Sequence, residues 1–178
     1  MGRGLLVGRF QPFHLGHLAV VTGLRTQRPG DPLLLGIGSA QLSYTWQNPF
    51  TAGERAEMIE RALREAGVGE CPTLPVVDID RHSLWVAHLE TLLPPFDRVY
   101  TNNPLTRLLF ERAGYTVESP PLVNRTAFEG ERIRTQMASN EEWATAVPPA
   151  VAAYLREIGG EARLRLLEAQ RASRTPTA

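Results

Sequence analysis

The chain has 178 residues, of which 43% are hydrophobic and 21% charged, a composition typical of one globular domain and too apolar for disorder. Its 19 basic and 19 acidic residues cancel, which argues against nucleic-acid binding through bulk positive charge. All 19 basic residues are arginine, so any mechanism that requires a lysine is excluded. No apolar run approaches the roughly 18 residues of a membrane span, and the single Cys71 has no disulfide partner, so we expect a cytoplasmic protein that does not bind membranes.

The first half of the chain alternates short apolar runs with helical patterns. Thr51 and Glu54 form a capping box, which predicts the start of a helix. The breaker sequence Pro29-Gly30-Asp31-Pro32 separates the first predicted helix from the second predicted strand. In chain order the predicted elements are strand 5–7, helix 14–25, strand 33–37, helix 51–66 and strand 74–79.

The second half continues this alternation and then becomes helical. Ser83 and Asn103 are the predicted caps of two helices, and Asn103 is followed by a proline that suits a first helical turn. In chain order the predicted elements are helix 83–93, strand 98–100, helix 103–113, strand 115–117, and helices 131–138, 141–146 and 149–172.

Five strands that alternate with helices predict a Rossmann-like, doubly wound parallel sheet of the α/β class. We expect a single domain over residues 1–178, whose C-terminal helical part covers about 131–172. In such folds the ligand binds beyond the carboxyl ends of the strands. The loops in which chemistry is expected are therefore 8–14, 38–50, 80–83, 101–103 and 119–130.

The first of these loops carries two histidines. His14 and His17 are three residues apart at a helix start, so both imidazoles point the same way, and Gly16 between them allows close approach. With Arg9 they would suit a phosphate that gains negative charge, because a helix N-terminus attracts anions. The spacing alone equally fits a solvated histidine pair that caps the helix. A metal site would need a third ligand.

These residues also resemble a known family. His14-Leu15-Gly16-His17 matches the HxGH signature of the nucleotidylyltransferase superfamily. The longer stretch from Gly8 to His17 is similar to the archaeal type of nicotinamide-mononucleotide (NMN) adenylyltransferase, and the similarity runs from about Leu5 to Leu167. Other segments that share it are Gly38–Gln41, Asn48–Arg55, Pro94–Tyr100, Asn103–Leu105 and Phe110–Tyr115.

The resemblance implies transfer of the adenylyl group of ATP to NMN, giving NAD and pyrophosphate with Mg²⁺ or another divalent cation. The acceptor phosphate would attack in line, without a covalent intermediate. His14, His17, Arg9 and Arg134 would be the catalytic residues. The implied ATP-binding residues are Gly8, Arg9, Phe10, His14, Gly16, His17, Asn124 and Arg134. Glu129 and Glu131 stand where the family often has serine and threonine; as residues of a first helical turn we expect them to face outward, the other option being a metal contact.

The implied NMN-binding residues are Ser39, Gln41, His82 and Trp85. Trp85 matches the family tryptophan that stacks on the cationic nicotinamide ring, although core packing would explain it as well. His82 replaces the asparagine that holds the carboxamide, so nicotinate mononucleotide or another phosphomonoester stays open as the acceptor. A nucleotide-binding protein without turnover is the third hypothesis. The family further implies a homo-oligomer, often a hexamer.

Overall fold

The computed structural model describes residues 2–120 and 128–174. Its strands are β1 (Gly4–Gly8), β2 (Leu33–Ile37), β3 (Thr73–Pro75), β4 (Arg98–Tyr100) and β5 (Thr116–Glu118). They pair in parallel as one sheet in the order β3-β2-β1-β4-β5. The chain moves outward from β1 in one direction and then resumes at β4 on the other side. The predicted doubly wound sheet is therefore confirmed, and its strand order reverses between β1 and β4, where such folds bind ligands.

Helices cover both faces of the sheet. They are α1 (Leu15–Gln27), α2 (Ala52–Glu65), α3 (Trp85–Leu92), α4 (Pro104–Arg112), α5 (Gly130–Ala138), α6 (Pro149–Glu157) and α7 (Gly160–Arg174). Leu6 and Leu35 face a core that α1, α2 and the C-terminal helices share, whereas Leu5 and Leu34 face a second core under α3 and α4. This alternation follows from the period of two in a strand. In the described part of the chain, no helix has the length and apolarity needed to cross a membrane.

Local capping explains where two of these helices begin. The Thr51 hydroxyl accepts the backbone N–H of Glu54 at 3.1 Å, and the Glu54 carboxylate accepts that of Thr51 at 2.9 Å, so the predicted capping box is confirmed. Asn103 caps α4 as predicted, because its side-chain oxygen accepts the N–H of Thr106 at 3.0 Å. These caps satisfy backbone donors that have no partner inside the helix.

Two predicted C-terminal helices are corrected. The helix expected over 149–172 is divided at Gly159, whose φ of +65° ends α6 before α7 begins. The helix expected over 141–146 is only a 3₁₀ turn, Ala144–Ala146. There the Glu142 carboxylate accepts the N–H groups of Ala144 and Thr145, at 3.0 and 3.3 Å, so the side chain replaces helical hydrogen bonds.

The region around the third strand is also corrected. The strand expected over 74–79 ends at Pro75: Val76 still donates to the Ile37 carbonyl at the end of β2 at 2.8 Å, but its own carbonyl accepts from Ala40, in the loop that follows β2, at 2.9 Å. Ser83 does not cap the next helix: it lies in the 3₁₀ turn His82–Leu84, which precedes α3. Residues 76–84 therefore form an irregular segment at the carboxyl edge of the sheet.

Candidate active site

Two histidines stand where the chain leaves the carboxyl end of β1 and enters α1. Nδ1 of His14 accepts the backbone N–H of His17, and Nδ1 of His17 accepts that of His14, both at 3.3 Å. The two rings stack with their centroids 3.6 Å apart. Because each Nδ1 is an acceptor, the proton of each neutral imidazole lies on Nε2. The pair therefore offers two Nε2–H donors beside the free N–H groups of a helix start.

Burial keeps both rings neutral. It lowers the pKa of His14 from 6.5 to about 4. Burial, together with the adjacent His14, lowers the pKa of His17 well below its ordinary range. At neutral pH the pair therefore acts as hydrogen-bond donors rather than as cations, which the spacing of the residues did not reveal.

This charge state predicts a pH-dependent stability. Between pH 6.5 and about 4 the unfolded chain binds a proton at His14 and the folded chain does not, so the free energy of unfolding falls as the pH falls through that window. For His14 the loss is about 3 kcal/mol. A His14→Ser variant retains an N-cap acceptor but not this titration. Thermal unfolding at pH 7.5 and 5 should show a smaller difference for the variant than for the wild type; equal differences would contradict the assignment.

Arg134 brings a buried positive charge to the same loop. Its side chain is 5% exposed, and Nη1 donates to the backbone oxygen of Gln11 at 2.7 Å. Nε is buried without a hydrogen-bond partner, and although Glu131 and Glu129 act on this guanidinium electrostatically, no described carboxylate forms a salt bridge with it. Burial lowers its pKa to about 10, so the charge persists at neutral pH. A buried arginine with open donors and no carboxylate partner suits an anionic ligand.

The predicted residues around this pair are brought together at the end of β1. Arg9 is exposed and close enough to Arg134 to lower its pKa by repulsion. A Cβ on Gly16 would lie 3.1 Å from the His14 ring, and one on Gly8 would lie 2.8 Å from the Phe10 ring, so both glycines make room for these rings. Glu129 and Glu131 are exposed, as the outward orientation requires. Asn124 lies outside the described residues.

Arg55 holds the loops of this edge together. The side chain is fully buried, with Nη1 donating to the carbonyls of Arg9 at 2.9 Å and Gly38 at 2.7 Å, and Nη2 to that of Ser39 at 3.2 Å. One side chain thus joins the loop after β1 to the loop after β2. Arg55 therefore has a structural role, and its contacts to the two site loops were not predicted from the sequence. A signal existed, because Arg55 continues the buried stripe of Met58, Ile59 and Ala62 on α2.

Gln11 is a second positioning residue that sequence reasoning missed. Its amide is buried, with Nε2 donating to the Phe50 carbonyl at 2.9 Å and Oε1 accepting the Phe50 N–H at 3.0 Å. The loop after β1 is therefore also tied to the segment that precedes α2. Arg134 binds the backbone of this same Gln11, so the geometry of all three segments is coupled.

The predicted acceptor residues cluster after β2 and β3. Ser39 Oγ donates to the Asp78 carboxylate at 2.6 Å, and the Gln41 amide pairs with the backbone of Asp78 at 3.1 and 3.2 Å. The polar groups of Ser39 and Gln41 therefore hold residue 78 in place. His82 and Trp85 line a neighbouring cavity of about 370 Å³.

This cavity, called here the acidic cavity, receives side chains from the segment after β3, from α3 and from α4. Trp85 contacts the core edge-to-face through Phe110, with centroids 5.6 Å apart, and also lines the cavity, so its position is compatible with both packing and stacking on a ligand ring. The described residues that line the cavity are Asp78, Ile79, Asp80, His82, Trp85, Asn103, Leu105, Thr106 and Leu109.

Two further features bear on ligand binding. A larger cavity of about 720 Å³ lies between α2 and β3, and none of the predicted site residues lines it. Among residues 2–120 and 128–174, no group of three or more His, Cys, Asp or Glu side chains could hold a metal ion. Mg²⁺ in nucleotide sites is usually held by substrate phosphates with one or two carboxylates, so such a cluster is not required.

Comparisons with known proteins identify the family of the chain. Residues 5–144 match the cytidylyltransferase-like family. A nicotinamide-nucleotide adenylyltransferase of Thermoplasma volcanium is 50% identical over 165 residues, which cover 93% of this chain and 92% of that protein. One from Archaeoglobus fulgidus is 48% identical over 168 residues, covering 92% of this chain and 95% of that protein.

Solved structures support the fold. A bifunctional NMN adenylyltransferase/ADP ribose pyrophosphatase from Francisella tularensis, complexed with AMP and a manganese ion, superposes with a TM-score of 0.81 at 19% identity. The match covers 97% of this chain but 54% of that longer one. A nicotinate-nucleotide adenylyltransferase, so named provisionally, from Vibrio parahaemolyticus gives a TM-score of 0.61 at 17% identity, over 90% of this chain and 96% of that one. On the sequence matches, the chain belongs to the nicotinamide-nucleotide adenylyltransferases within the cytidylyltransferase-like family.

Proposed function

We infer that the chain transfers the adenylyl group of ATP to NMN, giving NAD and pyrophosphate. The observation that carries this inference is that two neutral imidazole donors and a buried arginine without a salt-bridged carboxylate lie at the same carboxyl edge of the sheet as the acidic cavity, which Trp85 lines. The imidazoles and the arginine suit a polyphosphate, and the cavity lined by Trp85 suits a flat cationic ring. Membership of the adenylyltransferases supports the same reaction.

In the proposed reaction, an oxygen of the NMN phosphate attacks the α-phosphorus of ATP. The new P–O bond forms as the bond from that phosphorus to the oxygen bridging to the β-phosphate breaks, and the electron pair leaves with pyrophosphate. Because no covalent enzyme intermediate is needed, positioning and charge stabilisation supply the catalysis. We assign the Nε2–H groups of His14 and His17 to the α-phosphate oxygens, and Arg9 and Arg134 to the outer phosphates.

The neutral state of the imidazoles suits this role. A preorganised donor stabilises oxygen atoms that gain charge in the transition state without having to lose a proton or reorganise. Phe10 supports the ring of His17 edge-to-face, with centroids 4.9 Å apart, which limits its rotation. A contact between Asn124 and ATP remains a prediction.

We propose that a divalent cation such as Mg²⁺ binds together with the triphosphate. When bound, it would neutralise phosphate charge and assist departure of pyrophosphate. Glu129 and Glu131 are the carboxylates that act electrostatically on Arg134. They are therefore the candidates for completing the coordination of the divalent cation. Their exposure otherwise lets solvent screen their repulsion of the triphosphate.

The experiment that tests the function is pyrophosphate release by the purified protein with ATP, with and without Mg²⁺, and with NMN or nicotinate mononucleotide supplied separately. We expect release with NMN, accompanied by an equal amount of NAD. Preference for the acid would favour the alternative that His82 motivates. Binding of ATP or NAD without pyrophosphate release would instead support a nucleotide-binding protein without turnover.

Replacing Trp85 by alanine should raise the KM for NMN more than the KM for ATP. Loss of a stacked indole removes roughly 0.5–2 kcal/mol of cation–π attraction, which corresponds to a two- to thirtyfold increase in KM. Steady-state kinetics with each substrate varied in turn provide the measurement. A Trp85→Phe variant retains an aromatic face, so its KM for NMN should lie between those of the wild type and Trp85→Ala. Equal increases in both KM values would mean that Trp85 only packs against Phe110.

We further propose a homo-oligomer, a hexamer by family resemblance, and a cytoplasmic location. Both come from the resemblance and from the substrates. Sedimentation of the purified protein would test the assembly state.

A further inference from the structure

The acidic cavity has an unusual balance of charge. Asp78 and Asp80 contribute two carboxylates to it, and His82 is the only described lining residue that can become positive. No arginine is among the described residues that line it, although arginine supplies all 19 basic residues of the chain. A pocket that binds an anionic group normally offers a guanidinium or several directed N–H donors.

Asp78 is the more firmly held of these two carboxylates. Oδ2 accepts the Ser39 hydroxyl at 2.6 Å, and both backbone groups of Asp78 pair with the Gln41 amide. The Ser39 carbonyl is itself held by the buried Arg55, whose positive charge Asp78 also stabilises. The half-buried carboxylate of Asp78 is therefore fixed beside the cavity, whereas Asp80 is exposed and more strongly screened by solvent.

The two candidate acceptors differ by one charge, on the substituent of the pyridinium ring. NMN carries a cationic pyridinium ring with a neutral carboxamide, whereas nicotinate mononucleotide carries the same ring with a carboxylate. A fixed negative charge attracts the ring of both but repels the carboxylate of the second, and this repulsion grows in a partly buried site of reduced dielectric.

We propose that Asp78 is a specificity-determining residue, which makes the cavity take the neutral amide and reject the acid. This assignment rests on the proposed function, since it assumes that the acceptor ring occupies the acidic cavity. The presence of His82 instead of asparagine leaves open whether the acceptor is NMN or nicotinate mononucleotide. With this assignment, the selectivity for NMN would come from a fixed carboxylate and not from a specific hydrogen bond to the carboxamide.

The test compares kcat/KM for the two acceptors at pH 8 in the wild type, Asp78→Asn and Asp97→Asn. Asparagine keeps an oxygen that can accept from Ser39 and removes only the charge. We expect the wild type to prefer NMN, and Asp78→Asn to lower the NMN-to-acid ratio at least tenfold, mainly by improving use of the acid. Asp97 is an exposed aspartate at the opposite edge of the sheet, so its variant should keep the ratio within twofold.

A second measurement uses the wild type alone, in case Asp78→Asn unfolds. Raising the salt concentration should reduce the NMN-to-acid ratio, because salt screens the repulsion of the acid. An active wild type that prefers the acid overturns the assignment. An NMN-to-acid ratio that the substitution leaves unchanged also overturns it. If the variant unfolds, a ratio that salt leaves unchanged does the same. No turnover with either acceptor would overturn the proposed function, and the assignment with it. The two failures are therefore distinguishable.

Discussion

Replacing Arg134 by methionine should lower kcat/KM for ATP at least 100-fold while leaving the melting temperature unchanged or raising it. The activity loss corresponds to about 2.7 kcal/mol of transition-state stabilisation, as expected when a cation that faces the departing phosphates is removed. Stability should change little: the variant loses the hydrogen bond to the Gln11 carbonyl, but it also removes a buried guanidinium whose Nε has no partner and which forms no salt bridge with a described carboxylate. Replacing such a charge with an apolar chain of similar length is often neutral or stabilising.

Arg55→Met is the matched control, since both residues are buried arginines whose pKa burial lowers to about 10. The Arg55 guanidinium instead donates to backbone carbonyls of two loops, and the carbonyls of Arg9 and Gly38, once left without this donor, each cost about 1–3 kcal/mol. We therefore expect Arg55→Met to lower the melting temperature by many degrees. If Arg134→Met lowers it by as much, or loses less than tenfold in activity, Arg134 holds the loop rather than the phosphates.

The order of strands and helices could be predicted because each element has its own local pattern. The apolar run Leu33–Ile37 is buried along its whole length, and the Thr51–Glu54 capping box is complete within four residues. Predictions failed where a distant group decided the backbone. Val76 and Val77 continue the apolar run of a strand, but the Val76 carbonyl accepts from Ala40 and the Asp78 backbone pairs with Gln41, both in another loop, and no local pattern shows that.

The candidate site was predictable in its residue types but not in its electrostatics. The spacing of His14 and His17 indicates a shared direction, yet the reciprocal use of both Nδ1 atoms depends on exact backbone geometry. Ser39 and Gln41 are predicted as acceptor-binding residues, and the sequence did not show that both also hydrogen-bond Asp78. Such pairings join segments almost forty residues apart, so they follow from the fold and not from the local sequence.

Replacing His17 by glutamine should lower kcat about 100-fold, and at least tenfold, without destabilising the start of α1. A glutamine at the third helical position can accept the N-cap N–H that Nδ1 of His17 accepts now, so the capping box survives. What disappears is the Nε2–H donor in its fixed orientation, and loss of one preorganised donor of this kind costs about 10²–10³ in rate. Rapid-quench measurement of pyrophosphate formation, together with thermal unfolding, would separate the two effects.

His14→Ser provides the partner measurement, because serine keeps the N-cap hydrogen bond and removes the other Nε2–H donor. If both imidazoles stabilise charge on the same α-phosphate, they act as a unit, and the double variant should be little slower than the slower single variant. Independent roles would instead multiply the two losses. A His17→Gln protein that retains kcat within twofold would remove His17 from the chemistry and leave the pair as a helix cap alone.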